Sequence, residues 1–158
     1  MIKIICETGK IIELELNSLK NSDLRGLELH RALLSEFDLR GCNLSGVNLR
    51  GACLDRAILD DSNLSNTALM VAFFRNTSLR NANLKSAALN GANLDYADLQ
   101  GANLNGADFG GASLVGAKLQ GASVLGQRLD MANWQGCIYD KKTIWPGMFD
   151  PEEAGCTL

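Results

Sequence analysis

Few side chains in this sequence suit catalysis, and their spacing points to contact rather than reaction. His30 is the only histidine, with no Cys or Ser placed as its partner. No G-x-x-x-x-G-K-[ST] phosphate loop occurs. Asp98 and Asp108 take places that Asn fills in neighbouring segments, so they read as turn-stabilising groups rather than an acid/base pair. The cysteines Cys6, Cys42, Cys53, Cys137 and Cys156 have no zinc-ligand spacing. They read as structural thiols, and a terminal Cys137–Cys156 pair stays open. The one departure from a plain polar surface is Met70-Val71-Ala72-Phe73-Phe74. Large apolar groups beside arginine make up the usual composition of a protein interface.

What these residues can do depends on the elements that carry them, and a repeat sets those elements. From Leu19 to Trp134 every fifth residue is apolar; of these 24 positions, 20 are Leu and the others are Phe74, Phe109, Val124 and Trp134. A helix would spiral such positions around its whole surface, and a flat strand would send them to alternate faces. The backbone must therefore turn once per five residues, as in a solenoid of very short strands. Two residues before each Leu, 14 of 23 positions are Ala, and these share its inward face. Two residues after, Gly and Asn dominate, as a turn with positive φ requires. Val71 is β-branched where Gly is wanted, which predicts another turn type at that corner.

The motif is plain in Ala92-Asn93-Leu94-Asp95-Tyr96-Ala97-Asp98-Leu99-Gln100-Gly101. It resembles the pentapeptide repeat family over about three quarters of the chain. The resemblance implies an all-β fold, a right-handed quadrilateral β-helix with four pentapeptides per coil. The segment from Tyr139 to Pro151 is similar to the C-terminal segment of cyanobacterial members. The expected organisation is an N-terminal cap over 1–16 with a hairpin turning at Glu7-Thr8-Gly9-Lys10, a β-helix over 17–136 and a capping tail over 137–158. Residues 23–37 fit either coils or a capping helix. Leu27, Phe37 and Val47 are large inward residues expected to plug the first coils. In the tail, Tyr139, Ile144 and Phe149 keep the five-residue phase, and Asp150-Pro151-Glu152-Glu153 reads as the start of a short helix.

With four repeats per coil, residues twenty apart stack. Phe73 then lies over Cys53 and Leu33 as an outward apolar column. Met70 and Val71 flank it, and Arg31, Arg50 and Arg75 rim it. Lys20, Arg40 and Arg80 form a second column, interrupted by Asp60. The 158 residues carry a net charge of −3, too little for a strong pull on nucleic acid or a membrane. No apolar run is long enough to span a bilayer, and the first residues lack a signal-peptide pattern. The expected role is a non-catalytic, cytoplasmic interaction scaffold without cofactor or metal, monomeric or dimeric end to end, binding an unidentified protein. The alternatives are a topoisomerase-binding DNA mimic, which the family resemblance suggests but the modest charge disfavours, and a structural or self-assembling role.

Overall fold

A computed structural model describes residues 1–158. The chain is a right-handed quadrilateral β-helix, all-β apart from a 3-10 turn at Leu129–Met131. Parallel bridges join residues twenty apart, from Asp23–Asn43 through Asn103–Ser123. Twenty is four pentapeptides, so each coil has four sides. The ladder runs between coils: the amide of Leu94 donates to the carbonyl of Ser113 at 2.7 Å, and that of Asn93 to Ala72 at 2.9 Å. Each corner is closed by a bond across the turn, as from the Ala92 amide to the Leu89 carbonyl at 2.9 Å.

All 24 five-spaced positions from Leu19 to Trp134 are buried. The small residues two before them fill the space between, so the axis is a packed core. Polar groups admitted to it are satisfied by backbone: Thr67 Oγ1 donates to the Leu44 carbonyl at 3.1 Å and Thr77 Oγ1 to Leu54 at 2.8 Å. Burial pushes the Cys42 thiol pKa up, in keeping with a core thiol rather than a reactive one. Residues 23–37 lie in coils, tied by bridges Asp23–Asn43, Glu28–Asn48 and Leu33–Cys53; the capping-helix alternative is excluded. Val47 is buried, while Leu27 and Phe37 are half-buried against the core.

The expectation for Val71 is overturned. Its φ is +51°, in line with the other corners from Asn21 to Gly121. The coil-to-coil ladder imposes this conformation: the Val71 amide bonds the Asn90 carbonyl at 2.9 Å, and the Met70 carbonyl accepts from Gly51 at 2.9 Å.

At the N-terminal end, strands β1 (Ile2–Cys6) and β2 (Ile11–Leu14) form an antiparallel hairpin. β1 also pairs antiparallel with β3 (Ala32–Leu33), matching Ile5 to Leu33 and Cys6 to Ala32. Ile4 and Cys6 turn inward and are buried.

Near the other end the register slips. Arg128, not Gly126, takes the left-handed conformation, and Asp108 pairs with Gln127 rather than Arg128. A Cβ on Gly126 would lie 2.5 Å from the Phe109 ring and 2.7 Å from the Ala107 carbonyl, so only glycine passes there. Beyond it, Trp134 packs on Phe109, Trp145 and Phe149 with ring centroids 5.2, 5.4 and 5.7 Å apart. The phase expected for Ile144 fails: it bridges Ser123 and is exposed, while Trp145 packs against the core. Pro151–Gly155 makes a single turn instead of a helix, with Asp150 Oδ1 accepting from the Glu152 and Glu153 amides at 2.9 and 3.1 Å. Cys137 and Cys156 form a disulfide, their Cα atoms 4.6 Å apart.

Candidate functional site: an apolar ribbon beside a basic cleft

The five-residue register leaves the residue before each inward Leu facing out. On one side of the rod these residues are Leu33, Cys53 and Phe73, joined by bridges Leu33–Cys53 and Cys53–Phe73. The hairpin extends the line, because Ile5 pairs with Leu33 and Ile11 with Ile5. The result is a row of five outward apolar side chains, Ile11–Ile5–Leu33–Cys53–Phe73, on adjacent strands. At about 4.8 Å per strand it runs about 19 Å. Ile11, Ile5, Leu33 and Phe73 are each more than 40% exposed; Cys53 is half-buried, with its sulfur 3.0 Å from Ser35 Oγ. The row ends at Asn93, the next residue on the ladder.

One corner of the rod borders this row. It stacks Arg31, Gly51, Val71 and Gly91 at twenty-residue spacing, all with positive φ. Gly51 has no side chain between two bulky neighbours; a Cβ there would meet Arg31 Cγ at 3.3 Å. The gap opens a cleft of about 490 Å³ lined by Glu7, His30, Arg31, Arg50, Gly51, Val71 and Phe73. Arg31 is held by Glu7 across the hairpin, Nη2 to Oε2 at 2.7 Å.

Of the seven residues singled out by sequence, Arg50, Val71 and Phe73 meet at the cleft, and Leu33 and Cys53 continue the row from Phe73. Met70 is half-buried and lies outside the cleft lining. Arg75 is held by Asp55, with Nη2 2.7 Å from Oδ2. Four contributors escaped sequence reasoning. His30, noted in the sequence only for lacking a catalytic partner, forms part of the cleft wall. Ile5, Ile11 and Glu7 arrive through the hairpin, whose docking partner the repeat does not encode. In the second column, Lys20, Arg40 and Arg80, two of the three cations are paired, Arg40 with Asp38 and Arg80 with Asp98. No three His, Cys, Asp or Glu side chains converge as a metal site.

The four-sided ladder, the Leu/Ala core and the turn at every fifth residue define a family by themselves. The Pentapeptide repeats family matches in eight copies over residues 28–66, 57–95 and 92–124, more than half of the chain. The chain belongs to the pentapeptide repeat family. Among solved structures, this pentapeptide repeat protein is similar to Rfr23 from the cyanobacterium Cyanothece 51142. The two are 37% identical with a TM-score of 0.58, over 60% of this chain and 64% of that one. The match therefore spans just under two thirds of Rfr23. HetL from Nostoc sp. strain PCC 7120, a protein involved in heterocyst differentiation regulation, is 26% identical with a TM-score of 0.42, over 82% of this chain and 81% of that one. Both of these proteins are cyanobacterial. No curated protein matches. No helix of the chain is long and apolar enough to cross a membrane.

Proposed function

We propose that this pentapeptide repeat protein is a non-catalytic scaffold that docks a protein partner on the face formed by Leu33, Cys53 and Phe73, with Val71 and Arg50 at its edge. One observation carries the reading: outward apolar side chains, four of the five exposed, stand in a row on five adjacent strands. Burying such a row is favourable by about 25 cal/mol per Å² of apolar surface, and contiguous rows of this kind mark contact sites. The flat ladder keeps the side chains in fixed positions, which lowers the ordering cost of binding. Met70 and Arg75 then act as supports of the rim rather than as contacts.

The DNA-mimicking alternative needs a strongly negative rod. The net charge is −3, and eight ion pairs neutralise acidic groups along the surface. A cytoplasmic location belongs to the same proposal. A reducing cytosol would favour free thiols at Cys137 and Cys156, but the proposed face lies at the other end of the rod and does not draw on that bond.

The test is affinity capture with the native protein and with Phe73→Asp, using Asn105→Asp as a surface control. The scaffold reading expects a specific partner recovered with the native protein and the control, and lost with Phe73→Asp. Equal recovery with Phe73→Asp would remove the function from this face.

A further inference from the structure

Seven of the eight arginines are held by a carboxylate of the same chain. Arg50 is the exception, and it borders the cleft beside Phe73. The repeat explains why. In Asp23-Leu24-Arg25 and Asp38-Leu39-Arg40 the aspartate accepts from the arginine amide at 3.1 and 3.2 Å, and its carboxylate also holds the guanidinium. Asn48-Leu49-Arg50 keeps the same turn, with Asn48 Oδ1 accepting from the Arg50 amide at 3.1 Å. Its amide carries no charge, so the guanidinium is released. Other arginines reach an acid twenty residues earlier, as Arg56 reaches Glu36, Arg75 reaches Asp55 and Arg128 reaches Asp108. Twenty residues before Arg50 stands His30. Arg80 reaches Asp98, eighteen residues on; the equivalent position for Arg50 is Ala68. None of these spacings places an acid at Arg50, and no carboxylate of the chain pairs with it.

We infer that the cleft between Arg31 and Val71 receives a carboxylate side chain of an extended partner segment, bound to Arg50, with apolar side chains two residues to either side, on the same face of that segment, laid on Phe73 and Leu33. This deepens the proposed scaffold role and rests on it. The chemistry follows from the surroundings. Guanidinium presents two parallel N–H groups that match a carboxylate. Glu7 is already engaged by Arg31, so the cleft keeps one positive charge uncompensated. The walls are apolar on the Val71 and Phe73 side, which favours an acidic residue flanked by large apolar ones over a bare anion.

The test uses the full chain and three probes: Ac-Leu-Gly-Asp-Gly-Phe-NH2, in which Leu, Asp and Phe share one face of the extended segment, the same peptide with Asn for Asp, and sodium acetate. Blocked ends leave the Asp as the only charge. Binding is followed by NMR at the Val71 methyls and the Arg50 Nε–H. The Asp peptide is expected to shift both saturably, at least about tenfold more tightly than the Asn peptide, as a charged hydrogen bond implies. Its affinity should fall as salt is raised, and acetate should produce no saturable shift. Arg50→Gln should abolish the preference for Asp. Asn48→Asp should do so as well, by supplying the internal partner that Arg50 lacks. Neither variant touches the core, and unchanged spectra elsewhere report intact folding. Equal binding of the Asp and Asn peptides, or an Asp preference that survives in both variants, would overturn the carboxylate while leaving the apolar face standing. Binding of acetate as tight as the peptide would overturn the partner segment in favour of a small-anion site. No shift at Val71 or Arg50 with any probe would overturn the inference outright.

Discussion

The two halves of the rod share one interior and present different surfaces. From Asn21 to Asn81, nine of thirteen corners carry a side chain in the left-handed conformation; from Ser86 to Gly121, only two of eight do. The second region has no Lys or Arg between Ser86 and Ala117, and its corners are Gly separated by Asn and Ala. It is close to a minimal form of the repeat. The first region bears seven of the eight arginines, Val71 at a corner and the apolar row. A non-glycine residue at positive φ costs about 1–3 kcal/mol, although Asn tolerates it better. Stability alone would favour glycine at these corners, so it does not account for side chains such as Arg31 and Val71. Strain therefore gathers on the half that holds the cleft.

Four perturbations would break or sharpen this contrast. The largest concerns what the halves have in common. Leu49→Ala and Leu94→Ala remove fully buried side chains and should each cost about 2–5 kcal/mol. Chemical denaturation should give similar losses for both, and a large gap would show that the interiors differ after all. Next, Ala97→Phe overfills the axis and should cost about 1–3 kcal/mol by the same measurement. A smaller, two-sided test isolates the corners. Val71→Gly should stabilise the fold by about 1 kcal/mol through released strain. Gly111→Ala should destabilise it by a similar amount, because a Cβ at Gly111 meets nothing nearer than 3.9 Å and only its φ of +72° resists. Thermal melts that move the same way in both variants would refute the account of corner strain.

The smallest effect is electrostatic. The Arg40 and Arg128 guanidiniums bring Asp38 and Asp108 from 3.8 down to about 2. A lowered carboxylate pKa means that each pair supports the fold above the ordinary aspartate range. That support is lost as pH falls through about 2. Both pairs are partly exposed and screened, so the change in stability is modest. Carboxyl NMR titration should show both midpoints well below those of ordinary aspartates, and Arg40→Gln should restore that of Asp38 alone.

Much of this molecule is legible in its sequence because a strict period leaves the backbone few choices. Leu and Ala two apart must share a face, and a turn every five residues follows. The failures fall where tertiary packing overrides the period. At Val71 the coil-to-coil ladder outweighs β-branching. At Gly126 and Ile144 the stack of Phe109, Trp134, Trp145 and Phe149 shifts the register to cover the last coil. The Leu33–Cys53–Phe73 column is readable from twenty-residue stacking, whereas Ile5, Ile11 and Glu7 join it through an antiparallel pairing that no repeat announces. His30 and Arg50 were open to closer reading: the change from Asp-Leu-Arg to Asn-Leu-Arg at Asn48 marks the unpartnered arginine in the sequence itself.

Photocrosslinking tests the central claim most directly. A benzophenone side chain replaces Phe73 in the apolar row or Ser113, two coils further along the same outward column. Irradiation in cell extract should join a single protein to position 73 and none to position 113. Adducts at Ser113 of the same kind and yield, or none at Phe73, would contradict the assignment of binding to the first half of the rod.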